Sequence, residues 1–332
     1  MEYRRLGSSG LLASNVVLGT QDFGVYVSEE ESFKILDKAV ELGVNFIDTA
    51  NSYGIRGGKF GTSETVIGNW LELHPENRKK VIINTKCFTK LGDESYGIND
   101  REGISYSKMM LQLEDSLKRL KTSYVDIYTI HFEPTGEFIT EMWDAFDTMK
   151  KQGTVHYAGA SNFSVYGLVR AQEEARNRHM MGFVTEQNQY NICRRLVEME
   201  MIPALRRENI SQLCWGPLYG GRLTRKVFSN DKTGRQISNP MSEQLIAKLK
   251  RFQALCEEYE LVEEEVALAW LFNRPNPCFV ITGPNSTEEL ESCVRSSEMK
   301  LPQGLLDGID EIFTGFEEAP AVYATMNKAD LA

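Results

Sequence analysis

Short apolar runs alternate with amphipathic segments along most of the chain, and this alternation predicts strands and helices in strict turn. The predicted strands read VVLGT, NFID, KVIINTK, YVDIYTIH, VHYAGAS, FVTEQ, ISQLCW and CFVIT. The helices that follow them are predicted at residues 28–43, 63–73, 105–120, 138–152, 164–178, 198–207, 241–259 and 286–297. Eight such units predict parallel strands that close into an α/β fold, the (β/α)8 TIM barrel. An open doubly wound sheet is the alternative, but no GxGxxG follows the first strand.

The segment before the first barrel strand, YRRLGSSGLLA, predicts a β-hairpin that turns around Gly7 and Gly10 and plugs the bottom of the barrel. No linker rich in Pro or Ser interrupts the pattern, so residues 1–332 are predicted to form one domain. Two long connections, residues 87–103 and 216–240, follow strands and are predicted to be lids. The tail, residues 319–332, either folds across the barrel mouth or is frayed.

Composition and charge exclude several classes of partner and site. The chain has 37 Lys and Arg against 47 Asp and Glu, and this net charge of −10 argues against nucleic acid or an anionic membrane as partner. No apolar run is long enough to span a membrane and no signal peptide is recognisable, so we expect a cytoplasmic protein. Six cysteines without a CxxC pair predict reduced thiols and no metal site. The histidines are too scattered for a metal-dependent hydrolase: His74, His131, His156 and His179.

Four polar side chains stand where predicted strands end. Asp48, Lys86 and His131 end the second, third and fourth strands, and Tyr53 lies in the loop after the second. Each alone has an ordinary structural explanation, but together they converge at one mouth of the barrel. A phenol has a pKa of about 10, and lowering it by roughly 3 takes about 4 kcal/mol, which a nearby ammonium can supply. Asp48 would keep Lys86 charged, Lys86 would tune Tyr53 as a proton donor, and His131 would orient a carbonyl.

The motifs FIDTANSYG, INTK and YVDIYTIH resemble the catalytic tetrad of the aldo-keto reductases. Further segments, GTSETVIG, SLKRLKTSYVDIY and GPNSTEELE, extend the resemblance over nearly the whole chain. It implies a (β/α)8 barrel that reduces an aldehyde or ketone with hydride from NAD(P)H and a proton from Tyr53. The chain looks most similar to bacterial reductases of small carbonyls and keto-sugars. Polar residues in the first long loop suit a hydroxylated substrate: Asn99, Asp100, Arg101 and Glu102.

The resemblance also implies a nicotinamide cofactor site. In the family, the positions of Ser161, Asn162 and Gln187 bind the carboxamide, Trp215 stacks on the nicotinamide, and the backbone of residues 216–223 wraps the pyrophosphate. A helix cap for Ser161 and Asn162, and core packing for Trp215, are the structural alternatives. The implied cofactor contacts are Gly19, Thr20, Asp48, Ser161, Asn162, Gln187, Trp215, Gly216, Pro217, Leu218, Gly220, Arg222, Leu223, Lys226, Gly283, Asn285 and Glu289.

The choice between NADP(H) and NAD(H) depends on the loop after the eighth strand. Family members that use NADP usually carry Lys or Arg there, but residues 283–285 supply no cation. Glu289 would repel a 2′-phosphate and accept a hydrogen bond from a ribose hydroxyl instead. The family favours NADP(H), while these residues favour NAD(H) or dual use, and the balance lies slightly toward NADP(H). Three cations after the seventh strand could compensate: Arg222, Arg225 and Lys226.

A second function is compatible with the same barrel. Aldo-keto barrels also serve as cofactor-sensing subunits of potassium channels, so a regulatory or binding subunit is the alternative. The complete set of Asp48, Tyr53, Lys86 and His131 favours an enzyme acting on a small-molecule carbonyl substrate. The identity of that substrate stays open, and the sequence is compatible with a homo-oligomer.

Overall fold

The computed structural model describes residues 1–87, 104–134, 139–229 and 240–313. Strands β1 (Tyr3–Arg5) and β2 (Leu12–Ser14) form the predicted antiparallel hairpin, with Tyr3 paired to Ser14. The turn contains Gly7, whose φ of +51° is left-handed, and whose added Cβ would lie 2.5 Å from the carbonyl oxygen of Val184. A glycine is therefore required where the hairpin meets the barrel.

Eight parallel strands close into a barrel in the order β10-β3-β4-β5-β6-β7-β8-β9, which confirms the (β/α)8 prediction. Sequential barrel strands are neighbours, and β10 pairs with β3, the first strand of the barrel. The strands are β3 (Val16–Gly19), β4 (Phe46–Asp48), β5 (Ile82–Cys87), β6 (Val125–Ile130), β7 (Val155–Ser161), β8 (Phe183–Gln189), β9 (Ser211–Trp215) and β10 (Phe279–Thr282).

Helices fill the connections, and serine side chains begin several of them, as predicted for all but Ser242, where the predicted start was Met241. Ser28, Ser105, Ser164, Ser242 and Ser286 each accept a hydrogen bond from the backbone N–H three residues on. Phe138, the predicted start of the fourth helix, lies outside the described residues. The helices are α1 (Glu29–Glu41), α2 (Thr62–Leu73), α3 (Tyr106–Leu120), α4 (Ile139–Gln152), α5 (Val165–Asn177), α6 (Met201–Glu208), α7 (Glu243–Glu258), α8 (Glu263–Phe272), α9 (Thr287–Glu298) and α10 (Gln303–Ile312).

Two helices were not expected from the sequence pattern. Every residue of α8 from Val266 to Phe272 is buried, so the segment is apolar on all sides and shows no amphipathic period. Helix α10 follows the eighth strand–helix unit and buries Leu305, Ile309 and Ile312. Each adds to the helical layer around the barrel. None of the helices in the described ranges is both long and apolar enough to cross a membrane.

Side chains that point into the barrel form layers, because successive residues of a strand face opposite sides. The bottom layer is apolar and packs with Leu6 and Ala13 of the hairpin, as predicted. The middle layer is polar or lacks a side chain, and the top layer carries side chains that the sequence predicts for the site. The layers consist of Val17, Phe46, Ile82, Ile127, Leu213 and Phe279; then Asn84, Thr129, Gly159 and Thr185; then Asp48, Lys86, His131, Ser161, Gln187 and Trp215.

Helix α2 packs closely against α3 at Gly68, and this contact generates a stability prediction. A Gly-to-Ala change inside a helix ordinarily stabilises by about 1 kcal/mol. A Cβ on Gly68, however, would overlap the carbonyl oxygen of Arg119. We expect Gly68→Ala to lower the free energy of unfolding by about 1–3 kcal/mol, measured by urea denaturation. Gly10→Ala is the control, since a Cβ at Gly10 meets no atom within 4 Å. A Gly68→Ala protein as stable as the parent would contradict this packing.

Candidate active site

A buried ion pair lies at the mouth of the barrel, between the ends of β4 and β5. Lys86 Nζ donates to Asp48 Oδ2 at 2.6 Å and to the carbonyl oxygen of Thr49 at 2.9 Å. Both charged side chains are at most 2% exposed. Burial alone would lower the pKa of Lys86, but the neighbouring Asp48 and Tyr53 raise it above its ordinary value. Lys86 is therefore held as an ammonium in a site closed to water.

The other oxygen of Asp48 is also fully engaged. Asp48 Oδ1 accepts hydrogen bonds from Asn84 Nδ2 at 2.7 Å and from Gln187 Nε2 at 2.6 Å. Three donors thus surround the carboxylate, which is what a buried anion requires. The structure places Gln187, an implied cofactor contact, beside Asp48, and its amide nitrogen is occupied by that carboxylate.

Tyr53 and His131 lie nearer the solvent than the ion pair. Lys86 Nζ donates to Tyr53 Oη at 3.1 Å, and both rings are partly exposed, 6.0 Å apart in an edge-on arrangement. Burial and the charge of Lys86 hold the pKa of His131 well below its ordinary value, so the imidazole is neutral. Ser52 Oγ lies 3.5 Å from His131 Nδ1. The four residues that the sequence singled out therefore meet, with the charged pair below and the two rings above.

Asn162 connects the ends of β7 and β9 to this group. Its φ of +58° is left-handed, a strained conformation for a residue other than glycine, and its side chain is held from both ends. Asn162 Nδ2 donates to the carbonyl oxygen of His131 at 3.0 Å and to Ser161 Oγ at 2.9 Å. Asn162 Oδ1 accepts from Trp215 Nε1 at 3.1 Å. The partly exposed indole of Trp215 is thereby fixed at the mouth and is not part of the closed core.

The segment after β9 bends sharply through left-handed residues. Gly216, Tyr219, Gly220 and Gly221 all have φ between +51° and +84°. Asn191, which the sequence reasoning missed, donates from Nδ2 to the carbonyl oxygen of Gly216 at 2.8 Å. The N–H groups of Tyr219 and Gly221 close the turn by donating to the carbonyl oxygens of Gly216 and Leu218. Glycines without side chains offer the close backbone approach that phosphate binding uses.

Cations gather around Tyr219 in this segment. The guanidinium carbons of Arg222 and Arg194 lie 4.9 Å and 5.2 Å from the centre of its ring, and Arg194 Nη2 donates to Tyr219 Oη at 2.8 Å. Arg194 was not among the predicted residues, since nothing in its sequence surroundings marks it. Arg225 instead pairs with Glu264 at 3.0 Å.

The loop after β10 is closed by its own helix. Asn285 N–H donates to Glu289 Oε2 at 2.8 Å, and Glu289 N–H donates to Ser286 Oγ at 3.3 Å. The sequence placed Glu289 near a ribose, and the structure shows in addition that its carboxylate caps α9. Asn285 Oδ1 is buried and has no hydrogen-bond partner among the described residues.

The remaining predicted positions are spread around the mouth. Thr20 is fully buried, and its hydroxyl donates to the carbonyl oxygen of Asp48 at 3.0 Å, so it holds β3 against β4. Gly19 ends β3, and an added Cβ there would lie 2.7 Å from a side-chain atom of Ile281.

Pro217 and Leu223 are buried, whereas Gly283 is exposed. Leu218 and Lys226 are partly exposed in the segment after β9. The polar residues 99–102 and the tail, residues 319–332, lie outside the described residues.

Two inward-facing residues of the middle layer, Asn84 and Thr129, also bear on the site and were not predicted. A signal for both exists, because they stand two residues before Lys86 and His131 on the same faces of their strands. Among the described residues, no group of three or more His, Cys, Asp or Glu side chains could hold a metal ion. The site therefore consists of a buried ion pair, two aromatic rings and the amides around them.

Sequence comparisons agree with this geometry. A model of the aldo/keto reductase family matches residues 15–313. The uncharacterized oxidoreductase YrpG of Bacillus subtilis is 39% identical over 326 residues, which cover 98% of this chain and 100% of that protein. Aldo-keto reductase AMT2 of Alternaria alternata is 30% identical, covering 90% and 88%. Versiconal hemiacetal acetate reductase of Aspergillus parasiticus is 28% identical, covering 94% and 96%. The chain belongs to the aldo/keto reductase family.

Proposed function

We propose that this protein reduces an aldehyde or ketone to the alcohol, using NAD(P)H, with Tyr53 as the proton donor. One observation carries the proposal: Lys86 Nζ bridges Asp48 and Tyr53 at 2.6 Å and 3.1 Å inside a buried site. An ammonium at hydrogen-bond distance stabilises the phenolate that remains after proton transfer. The bound cofactor would supply the hydride to the carbonyl carbon.

The proposed proton transfer assigns one task to each of the four side chains. The carbonyl oxygen takes the proton of Tyr53 Oη as the carbon gains hydride, so the phenol becomes a phenolate beside Lys86. Asp48 keeps Lys86 charged and in place. His131, neutral because of its lowered pKa, donates one N–H to the same oxygen and orients it. Ser52 Oγ, 3.5 Å from Nδ1, is beside the ring nitrogen.

The surroundings of the tetrad suit a nicotinamide cofactor. Trp215 is partly exposed and fixed by Asn162, as an aromatic platform for a planar ring should be. The left-handed turn from Gly216 to Gly221 can approach a pyrophosphate closely, and Arg222 adds a positive charge there. Asn285 Oδ1, which has no hydrogen-bond partner in the described part of the chain, can accept a hydrogen bond from a ribose hydroxyl. These features fit a nicotinamide cofactor, either NADP(H) or NAD(H).

The direct test measures nicotinamide absorbance with NADPH and NADH in turn, over aldehydes, ketones and keto-sugars. We propose a hydroxylated carbonyl compound as substrate, based on the polar residues 99–102. Reduction of at least one carbonyl class is expected. A protein that binds the cofactor but reduces none of them would point to a cofactor-sensing regulatory subunit instead. We also propose that residues 1–332 form a single domain and act in the cytoplasm.

Tyr53→Phe should abolish turnover while leaving cofactor binding intact. Without the phenol, hydride transfer would produce an unprotonated alkoxide, and we expect kcat to fall by about 10²–10⁴-fold. The dissociation constant of NADPH, measured by fluorescence titration, should stay within about twofold of the parent value, less than 0.5 kcal/mol. Tyr3→Phe is the control, because Tyr3 is an exposed tyrosine on the hairpin at the opposite end of the barrel. A Tyr53→Phe protein that keeps most of its turnover would show that another group is the acid.

Trp215→Ala should weaken cofactor binding and remove the fluorescence quenching caused by stacking. A stacked ring contributes about 0.5–1.5 kcal/mol beyond burial, which corresponds to a two- to twelvefold rise in the dissociation constant. Trp215→Phe keeps an aromatic face but loses the hydrogen bond to Asn162, and it should bind more tightly than the Ala variant. Three tryptophans remain in either variant, all buried: Trp70, Trp143 and Trp270. Quenching that persists in Trp215→Ala would place the nicotinamide elsewhere.

Cofactor preference should be set in the loop after β10 and should be shallow, nearer tenfold than ten-thousandfold, since tenfold is about 1.4 kcal/mol. Replacing Asn285 by Arg and Glu289 by Gln adds a fork-shaped cation and removes a repulsive charge, while Gln can still cap α9. The double variant should favour NADPH over NADH more strongly than the parent, chiefly through KM. The gain should shrink at high salt.

A matched control separates local recognition from net charge. Asn285→Arg combined with Glu288→Gln changes the formal charge by the same amount, but it leaves the carboxylate that caps α9 in place. This control should shift the preference less than the double variant with Glu289→Gln. If neither variant changes the ratio of NADPH to NADH efficiency, the loop does not read the 2′ position. The three cations after β9 would then be tested: Arg222, Arg225 and Lys226.

A further inference from the structure

The buried carboxylate of Asp48 rests on a second amide, Asn84, one layer deeper in the barrel. Asn84 is fully buried on β5, two residues before Lys86, and therefore faces the same interior. Its Nδ2 donates to Asp48 Oδ1 at 2.7 Å, while its Oδ1 accepts from Thr129 Oγ1 at 2.7 Å. Thr129, on the neighbouring strand β6, is also fully buried. A continuous hydrogen-bond chain thus runs from Thr129 through Asn84 to the ion pair.

The chemistry of this chain fixes the direction of every hydrogen bond. A carboxylate oxygen can only accept, so the amide of Asn84 must present its NH2 group to Asp48. If the amide turned over, two oxygens would face each other at hydrogen-bond distance. The carboxylate of Asp48 therefore sets the orientation of the Asn84 amide, whose oxygen points away from it. The hydroxyl of Thr129 donates to that oxygen and so anchors Asn84, and through it Asp48, in place.

The opposite side of the same layer supplies a natural comparison. Gly159 on β7 lies between Thr129 and Thr185, and a Cβ there would overlap Thr129 Oγ1 and lie 2.7 Å from Thr185 Oγ1. The absence of a side chain at Gly159 leaves room for both hydroxyls. Thr185 is as buried as Thr129, yet its hydroxyl has no hydrogen-bond partner among the described residues. The two threonines share a layer and an environment, and they differ in their link to the ion pair.

We propose that Asn84 and Thr129 are positioning residues, which orient Asp48 so that its second oxygen holds Lys86 against Tyr53. This inference rests on the proposed role of Tyr53. With Asn84 in place, Asp48 Oδ1 has two donors and the carboxylate cannot rotate. Without it, Gln187 is the remaining donor described at that oxygen, and the carboxylate turns more freely. The ammonium of Lys86 is then held less firmly, and it stabilises the phenolate less.

The direction of the resulting change can be stated. Among the residues that the structure describes, titratable groups beside Tyr53 include Lys86 on β5, Asp48 on β4 and His131 after β6. His131 is neutral, so Lys86 is the cation that favours ionisation of the phenol. Weaker placement of Lys86 should raise the pKa of Tyr53. Because Tyr53 then becomes a poorer acid, carbonyl reduction should slow, and the high-pH fall in activity should move to higher pH.

The test compares three substitutions of similar size: Asn84→Leu, Thr129→Val and Thr185→Val. The pKa of Tyr53 is measured by the ultraviolet absorbance of its phenolate, as the difference between each protein and the same protein carrying Tyr53→Phe. We expect Asn84→Leu to raise this pKa by about one pH unit and to lower kcat about tenfold, with KM for the carbonyl changed less than about twofold. Thr129→Val should shift both in the same direction by less.

Two controls separate positioning from general damage to the barrel. Thr185→Val should leave the pKa and kcat at the parent values, and Thr129→Ser, which keeps the hydroxyl, should restore most of what Thr129→Val loses. If Asn84→Leu does not fold, the pair of Thr129 variants still decides the question. An unchanged pKa in both Asn84→Leu and Thr129→Val would overturn the proposal, and so would equal losses in all three barrel substitutions.

The outcome is distinguishable from a failure of the proposed function. The phenolate titration needs neither cofactor nor substrate, so it tests the positioning chain even if no carbonyl compound is reduced. Conversely, turnover that depends on Tyr53 but not on Asn84 or Thr129 would retain the proposed function and reject the positioning role.

Discussion

The structure depends on a charge pair in a place where charges are costly. Asp48 and Lys86 are removed from water, and either one alone would be strongly destabilising there. Mutual attraction offsets this cost only when the geometry is good and the remaining donors and acceptors are satisfied. The carboxylate meets three donors, and the ammonium meets the carboxylate, a carbonyl and a phenol. The strand ends must therefore be held in register to a fraction of an ångström.

The layered interior of the barrel provides that register. The apolar bottom layer, sealed by Leu6 and Ala13 of the hairpin, gives a dry and close-packed floor. The middle layer carries amide and hydroxyl groups that would be out of place in that floor but suit an anion directly above. Polarity thus increases toward the carboxyl ends of β4, β5 and β6, and the rings of Tyr53 and His131 are partly exposed above them. The electrostatic setting of the Asp48–Lys86 pair is built through the depth of the barrel.

Much of this arrangement was predictable from the sequence, and the failures have physical reasons. Each barrel strand was marked by a short apolar run, and serine N-caps marked the starts of α1, α3, α5 and α9. Helix α8 was not predicted, because a helix buried on all sides has no amphipathic period. The convergence of Asp48, Tyr53, Lys86 and His131 followed from strand order. The hydrogen-bond partners of the Asn84 and Gln187 amides could not be predicted from the sequence. They depend on side-chain conformations, which a sequence pattern does not specify.

The closure of the barrel joins the beginning of the chain to its end, and this has a consequence for how the protein folds. Arg4 Nη1 donates to the carbonyl oxygen of Cys278, 274 residues away, and Thr282 Oγ1 donates to the carbonyl oxygen of Val17, 265 residues away. At roughly 5–20 residues per second, a ribosome needs on the order of 15 to 60 seconds to reach the last strand. During that time the edge of β3 that later pairs with β10 is open. The apolar bottom layer against which the hairpin packs still lacks Phe279 of β10. Contacts of such long range also slow folding. The nascent chain must therefore keep an unpaired strand from associating with other chains until synthesis has passed β10.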